Sequence, residues 1–308
     1  MGRVVISEFM DERAVARLAE RHDVLFDPAL VDDAAGLLRA AAGADALIVR
    51  NRTQVRGALL AALAPGAVVG RLGVGLDNID VDACAARGIA VVPATGANAL
   101  AVAEYVVGAA LLLLRGAYRS TAEIAAGGWP RQALGSGREI GAKTMGLVGF
   151  GSIGRITARL AQGVGMRVVA TDAMLDAADA AYRDVGVDAV GLDELLASAD
   201  VVSLHVPLLE ATRDLMNAAR IAAMKPGAVL VNTARGGIVD EAAVAAALRS
   251  GRLGGAALDV FAREPLAADH PFAGCPNLLL TPHIAGVTAE ANERVSLIIA
   301  DRVLEALA

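Results

Sequence analysis

Aromatic residues are scarce in this chain: Trp, Tyr and Phe together make up 3% of its 308 residues. Its cores must be built from Ala, Val, Leu and Ile, and a hydrophobic content of 56% supplies them amply. Cysteine is nearly missing. Cys84 and Cys275 make no metal or redox spacing, so no metal is expected and a reducing, cytoplasmic setting is. Lysine is limited to Lys143 and Lys225, every other basic residue is Arg, and no basic block interrupts a net charge of −6. Nucleic acid and anionic membrane are therefore not expected as partners. A long apolar run is missing as well. The most hydrophobic stretch, Ala99 to Leu114, is broken by Glu104 and falls short of the ~20 residues that span a bilayer. It reads as a buried or interface helix. No basic segment followed by an apolar block opens the chain; Met1–Ser7 reads as a first strand, so no export signal is expected.

The length suffices for two domains. Short β-branched runs alternate with Ala-rich segments of helical period from end to end. Val4–Ile6, Val24–Phe26, Leu47–Val49, Val68–Gly70 and Ile89–Val92 read as strands, with helices near 11–21, 33–42, 55–63 and 80–87. A long helix is expected from Asn98 to about Thr121, then a Gly-rich arm or linker over Gly127–Gly141. The alternation restarts with strands at Thr144–Val148, Arg167–Thr171, Val201–Leu204, Ala228–Val231, Gly255–Leu258 and Leu278–Leu280. Such alternation predicts an α/β fold of two doubly wound parallel-sheet domains. The helical segment from Thr288 to Ala308 is expected to dock back on the first unit and make it discontinuous. No repeat or low-complexity tail is visible.

Gly149, Gly151 and Gly154 form a G-x-G-x-x-G turn between the strand Thr144–Val148 and a helix running to about Gln162. The motif alone is weak, but strand, glycine turn and helix together are what a pyrophosphate needs. The first glycine makes the tight turn, the second admits the phosphates, and the third lets helix pack on strand. The helix start, at Ser152 and Ile153, offers unpaired N–H groups to the anion. Asp172 follows the next strand, 18 positions past Gly154. A carboxylate there accepts bonds from both adenosine ribose hydroxyls and repels a 2′-phosphate. With no Arg or Lys in 173–176, NAD is expected rather than NADP.

Three further stretches each end a strand with a reactive side chain: Arg235 in Asn232-Thr233-Ala234-Arg235-Gly236-Gly237, Glu264 in Asp259-Val260-Phe261-Ala262-Arg263-Glu264, and His283 in Thr281-Pro282-His283. Open α/β sheets bind ligands at this end of their strands. Oxidising a hydroxyl requires a base for its proton as hydride leaves, and imidazole is poised near neutrality. A neighbouring carboxylate favours the imidazolium. A guanidinium can hold a substrate carboxylate and polarise a carbonyl oxygen. Arg235 and Glu264 alone also fit a buried ion pair; His283 at the matching spacing favours catalysis. His22 and His270 carry no motif and are expected at the surface.

With these motifs the sequence resembles the D-isomer-specific 2-hydroxyacid dehydrogenase family, and within it the catalytic core of the D-3-phosphoglycerate dehydrogenases. The resemblance runs from Val49-Arg50-Asn51-Arg52-Thr53, through Gly70-Arg71-Leu72-Gly73-Val74-Gly75 and Asn232–Glu241, to Pro282-His283. It implies a Rossmann NAD-binding domain over 98–286 and a smaller flavodoxin-like substrate domain over 1–97 and 287–308, with a cleft between them. It implies that Arg235 binds substrate, that Glu264 is the partner acid and His283 the acid/base, and that the Val74–Gly75 backbone takes the substrate carboxylate. Asp259 would approach the nicotinamide carboxamide and Pro207 would line the cofactor cleft, with His205, Thr233, Ala234, Gly286 and Val102 also at the cofactor. His205 by itself reads as structural or indirect in its action. Members of the family are usually dimers built on the 98–121 helix and the arm carrying Trp129 and Arg131, so a homodimer is expected.

Arg50, Arg52 and Arg71, near the Gly73–Gly75 loop, read together as a second anion site for the far end of the substrate. A three-carbon acid with a distal phosphate or sulfonate, 3-phosphoglycerate-like or 3-sulfolactate-like, is expected. Two alternatives stay open: a hydroxypyruvate or glyoxylate reductase, and an NAD-sensing corepressor-like binding protein.

Overall fold

In the computed structural model, which describes residues 1–308, the apolar runs form strands, the Ala-rich intervals form helices, and the chain divides into two units. The first unit is Met1–Asn98 with Val287–Ala308. Its strands are β1 (Arg3–Ile6), β2 (Asp23–Phe26), β3 (Ala46–Val49), β4 (Val68–Arg71) and β5 (Ala90–Pro93). All neighbours pair in parallel in the order β2-β1-β3-β4-β5, the flavodoxin-like order. β1 and β3 are covered on both faces, which is why they read as unbroken apolar runs. The closing helix, Ala289–Ala306, starts at Thr288, whose hydroxyl accepts the Ala291 N–H. It packs on β4 where Gly70 offers no side chain; a Cβ there would lie 2.9 Å from Ile299. That close approach ties the end of the chain to the first unit.

The second unit is Ala99–Gly286. It contains β6 (Thr144–Val148), β7 (Arg167–Thr171), β8 (Asp188–Ala189), β9 (Val201–Leu204), β10 (Ala228–Asn232), β11 (Leu253–Leu258) and β12 (Leu278–Leu280). The sheet is parallel throughout in the order β12-β11-β10-β9-β6-β7-β8. Counted from β6, this is the Rossmann order extended by one strand, and the order reverses between β6 and β9. Helix Ala99–Arg115 buries Val102, Val106, Ala110 and Leu113, and Phe150 stacks on Tyr182 with ring centroids 4.8 Å apart. In both units the parallel strands bring all their carboxyl ends to one edge.

Two elements differ from the sequence reading. The helix expected over 98–121 stops at Arg115 because Gly116 turns left-handed (φ +68°); the 3₁₀ turn Ala117–Ser120 and the short helix Thr121–Ala125 continue at a 71° bend. The sheet also gains β8, two residues long and paired with Val169–Ala170, too short to leave a pattern in the sequence. No single helix is long and apolar enough to cross a membrane.

Candidate active site

β10, β11 and β12 end in the loops that carry Arg235, Glu264 and His283. Asn232, the last residue of β10 and 1% exposed, shapes the first loop. Its Nδ2 donates to the Arg235 carbonyl oxygen at 2.9 Å, and its Oδ1 accepts the Ala234 N–H at 3.1 Å. Gly236 then passes against the loop after β11 so closely that a Cβ would stand 1.8 Å from the Phe261 carbonyl oxygen. Only glycine permits that approach, which brings the backbone of the Arg235 turn against the loop of Glu264. In that loop Glu264 Oε1 accepts the Phe261 N–H at 3.0 Å, and Glu241 Oε1 accepts the Ala262 N–H at 2.7 Å.

Glu264 Oε2 lies 2.8 Å from His283 Nδ1, with both side chains about one third exposed. Burial is the largest influence on the Glu264 carboxyl and pushes it up. The bonds from His283 and the Phe261 N–H, with the electrostatic pull of His283 and Arg235, outweigh it and hold the carboxyl below its ordinary value. His283 adopts a left-handed backbone, φ +56°, rare for a residue with a side chain. Asp259, 1% exposed, holds it there. Its Oδ1 accepts the Ile284 N–H at 2.8 Å and the Thr281 hydroxyl at 2.6 Å, and its Oδ2 accepts the Ala285 N–H at 2.8 Å. Tyr105 bonds the same Thr281 hydroxyl at 2.6 Å. Asp259 therefore spends both carboxylate oxygens on the histidine loop. The result is an imidazole fixed through Nδ1, with Nε2 left to exchange a proton, in a loop network that includes an arginine.

The glycine turn lies at the carboxyl end of β6, beside the reversal in strand order. Gly149 has φ +99° and approaches the His205 carbonyl oxygen, and a Cβ at Gly154 would collide with the Gly149 carbonyl at 2.4 Å. A Cβ at Gly151 would meet nothing in the protein, so open space lies before the turn. Helix Ser152–Gly163 begins there without a side-chain cap, leaving its first N–H groups, on Ser152 and Ile153, for an anion. Asp172 accepts the Phe150 N–H at 2.7 Å and the Met174 N–H at 2.9 Å, which ties it to the same turn. At the ends of β9 and β10, His205 Nε2 and Thr233 Oγ1 are buried polar atoms with no protein partner. Burial lowers the His205 pKa to about 4, so its ring is neutral near pH 7. A cradle, a helix start, a carboxylate and orphaned polar atoms along one sheet edge fit a dinucleotide. Pro207 is exposed and Ala234 and Gly286 half-buried, whereas Val102 is packed in the core at 5% exposure.

In the first unit, Arg50 and Arg71 leave the neighbouring strands β3 and β4, where Val49 pairs with Arg71. The three arginines are engaged differently. Arg52 pairs with Asp32 at the surface. Arg71 folds over Gly73, donating to the Gly75 carbonyl at 2.8 Å and the Leu72 carbonyl at 2.7 Å, and so shapes the Val74–Gly75 loop. Arg50 lies over the Phe9 ring, 5.7 Å from its centroid, and bonds the Asn292 side-chain oxygen; it makes no ion pair. Burial lowers its pKa, and the Glu8 charge opposes that. His22 and His270 are half-buried rather than surface residues, each accepting a backbone N–H at Nδ1, from Gly2 and Phe272 respectively, both at 3.1 Å. Asn232, Glu241, Thr281, Glu8 and Asn78 escaped the sequence reading. The one signal for Asn232 and Glu8 is a polar residue closing or just following an apolar strand.

The family profile described as D-isomer specific 2-hydroxyacid dehydrogenase, NAD binding domain, matches residues 107–285. The chain is 58% identical to the (S)-sulfolactate dehydrogenase of Chromohalobacter salexigens over 307 residues, covering 100% of this chain and 99% of that protein. It is 40% identical to the D-3-phosphoglycerate dehydrogenase of Mycobacterium leprae, covering 99% of this chain but 57% of that longer protein. Among solved structures, the NAD-dependent formate dehydrogenase of Staphylococcus aureus in complex with NAD superposes with a TM-score of 0.84 at 29% identity, covering 100% of this chain and 95% of the other. The chain belongs to the D-isomer specific 2-hydroxyacid dehydrogenase family and is an NAD-dependent oxidoreductase of 2-hydroxy acids.

Proposed function

We propose that the enzyme interconverts (S)-3-sulfolactate and 3-sulfopyruvate. The observation that carries this reading is the 58% identity, over the full length of both chains, to an (S)-sulfolactate dehydrogenase. The S label agrees with a D-specific family: sulfur raises the priority of C3, so the D arrangement of sulfolactate is named S. NAD, held by the Gly149–Gly154 turn, Asp172, Thr233 and the surroundings of His205, supplies the hydride acceptor or donor. His283 Nε2 takes the hydroxyl proton in oxidation and returns it to the keto oxygen in reduction. Glu264 holds the imidazole at Nδ1 and stabilises its protonated form. Arg235 binds the substrate carboxylate and polarises the C2 oxygen. Arg50, half-buried and without an ion-pair partner, is the group for the distal sulfonate; Arg52 and Arg71 are committed to Asp32 and to their own loop.

The test is NADH oxidation with 3-sulfopyruvate, 3-phosphohydroxypyruvate, hydroxypyruvate and pyruvate. At least ~10-fold higher kcat/KM for 3-sulfopyruvate than for pyruvate is expected, about 1.4 kcal/mol, with Arg50→Ala erasing most of it. Equal rates on all four would refute the reading, and a preference for the phosphate would reassign the substrate.

We also infer a cytoplasmic homodimer. Leu111, Leu112, Tyr118, Ile124 and Trp129 are apolar yet 38–78% exposed along helix Ala99–Arg115, the turn and short helix that follow it, and the arm, a surface suited to a second copy. Light scattering should return twice the chain mass of 31.2 kDa; a monomer refutes the dimer.

A further inference from the structure

Four polar side chains are buried where β1 and β3 end: Ser7, Glu8, Thr53 and Asn78, all at 5% exposure or less. They converge on one short segment, residues 50–53. Glu8 Oε1 accepts the Arg50 N–H at 2.8 Å and the Thr53 N–H at 3.0 Å, and its Oε2 accepts the Arg52 N–H at 3.2 Å. From the other side Asn78 Nδ2 donates to the Arg50 carbonyl at 3.1 Å and the Thr53 carbonyl at 2.7 Å. The Ser7 and Thr53 hydroxyls meet at 3.0 Å.

A buried carboxylate is a costly way to close a loop that turn-forming residues close without charge. What it achieves here is to fix the direction in which Arg50 leaves the backbone. Phe9, the residue after Glu8, supplies the ring beneath the Arg50 guanidinium. Glu8 thus sets both the base of the arginine and the surface it lies on. Its charge is turned inward, absorbed by three N–H groups, while the guanidinium stays half-exposed. The same carboxylate favours the charged form of Arg50 against the effect of burial.

We propose that Glu8 is a positioning residue for substrate selection, whose carboxylate clamps residues 50–53 so that Arg50 is presented to the distal anion of the substrate. This rests on the distal-anion reading above. The experiment compares the whole enzyme with Glu8→Ala and Glu8→Gln, using 3-sulfopyruvate and pyruvate as substrates, NADH fluorescence titration, and thermal melting as a check of folding. Glu8→Gln keeps the side-chain volume and one acceptor oxygen, so it stays informative even where Glu8→Ala fails to fold. The ratio of kcat/KM for 3-sulfopyruvate over pyruvate should fall on the order of tenfold in Glu8→Ala and less in Glu8→Gln. The loss should appear in the KM for 3-sulfopyruvate, with NADH affinity retained. A ratio unchanged in the folded variants, or equal losses on both substrates, overturns the role of Glu8 alone. A wild-type enzyme without preference overturns the distal-anion reading, and this inference with it, before any variant is made.

Discussion

Adding one methyl group at Gly236 probes how closely Arg235, the arginine proposed to bind substrate, must be held to the Glu264–His283 pair. In Gly236→Ala the new carbon would stand 1.8 Å from the Phe261 carbonyl oxygen, 2.0 Å from its carbon and 2.6 Å from the Ala262 nitrogen. All three are backbone atoms, so no side-chain rotation relieves the clash. Restoring an ordinary contact requires the two loops to part by more than an ångström. One loop carries Arg235, and the other carries Glu264 and, through the 2.8 Å bond, His283. A misplacement of about 1 Å costs on the order of 10²-fold in rate, or ~2.7 kcal/mol in the barrier. Steady-state kinetics on the preferred keto acid should show that loss in kcat/KM. His283→Ala, which removes the proposed acid/base, should set the larger bound at ~10²–10⁴-fold in kcat with NADH still bound. A Gly236→Ala enzyme that folds and keeps wild-type kcat/KM would refute the claim that this contact aligns the site, and an active His283→Ala enzyme would refute the role of the histidine.

Asp172→Ala should weaken NAD binding and narrow the preference over NADP, because the ribose hydroxyls lose an acceptor and the 2′-phosphate loses a repelling charge; wild type using both equally well would contradict this. Burial holds His205 at about 4 in the fold, against 6.5 ordinarily. The unfolded chain then binds one more proton between those values, so stability falls as pH drops from 6.5 towards 4. His205→Asn should flatten the dependence of the denaturation midpoint in that window, and parallel curves for the two proteins would refute it.

Much of this enzyme is local in the sequence. Each strand is a short apolar run, and the turn after β6 needs glycines wherever a Cβ would strike backbone, as at Gly154. The placement of Arg235, Glu264 and His283 was legible because parallel strands deliver the residues after their carboxyl ends to one edge, whatever the rest of the fold does. The stop of the long helix at Arg115 was not legible, since glycine at 116 is compatible with helix and only the φ of +68° decides. β8 exists only because Val169–Ala170 is there to pair with it.

Tertiary structure alone decided how polar groups were shared. The sequence offered three arginines of equal standing; packing paired Arg52 with Asp32, folded Arg71 over its own loop, and left Arg50 on Phe9 beside Asn292, a residue 242 positions away. It likewise turned Asp259 onto the histidine loop and buried Glu8 beneath residues 50–53. Periodicity and motif spacing report what a residue does for its own element. The partner of a buried charge is chosen by whichever donors the fold brings within about 3 Å, and those donors lie on loops that follow other strands.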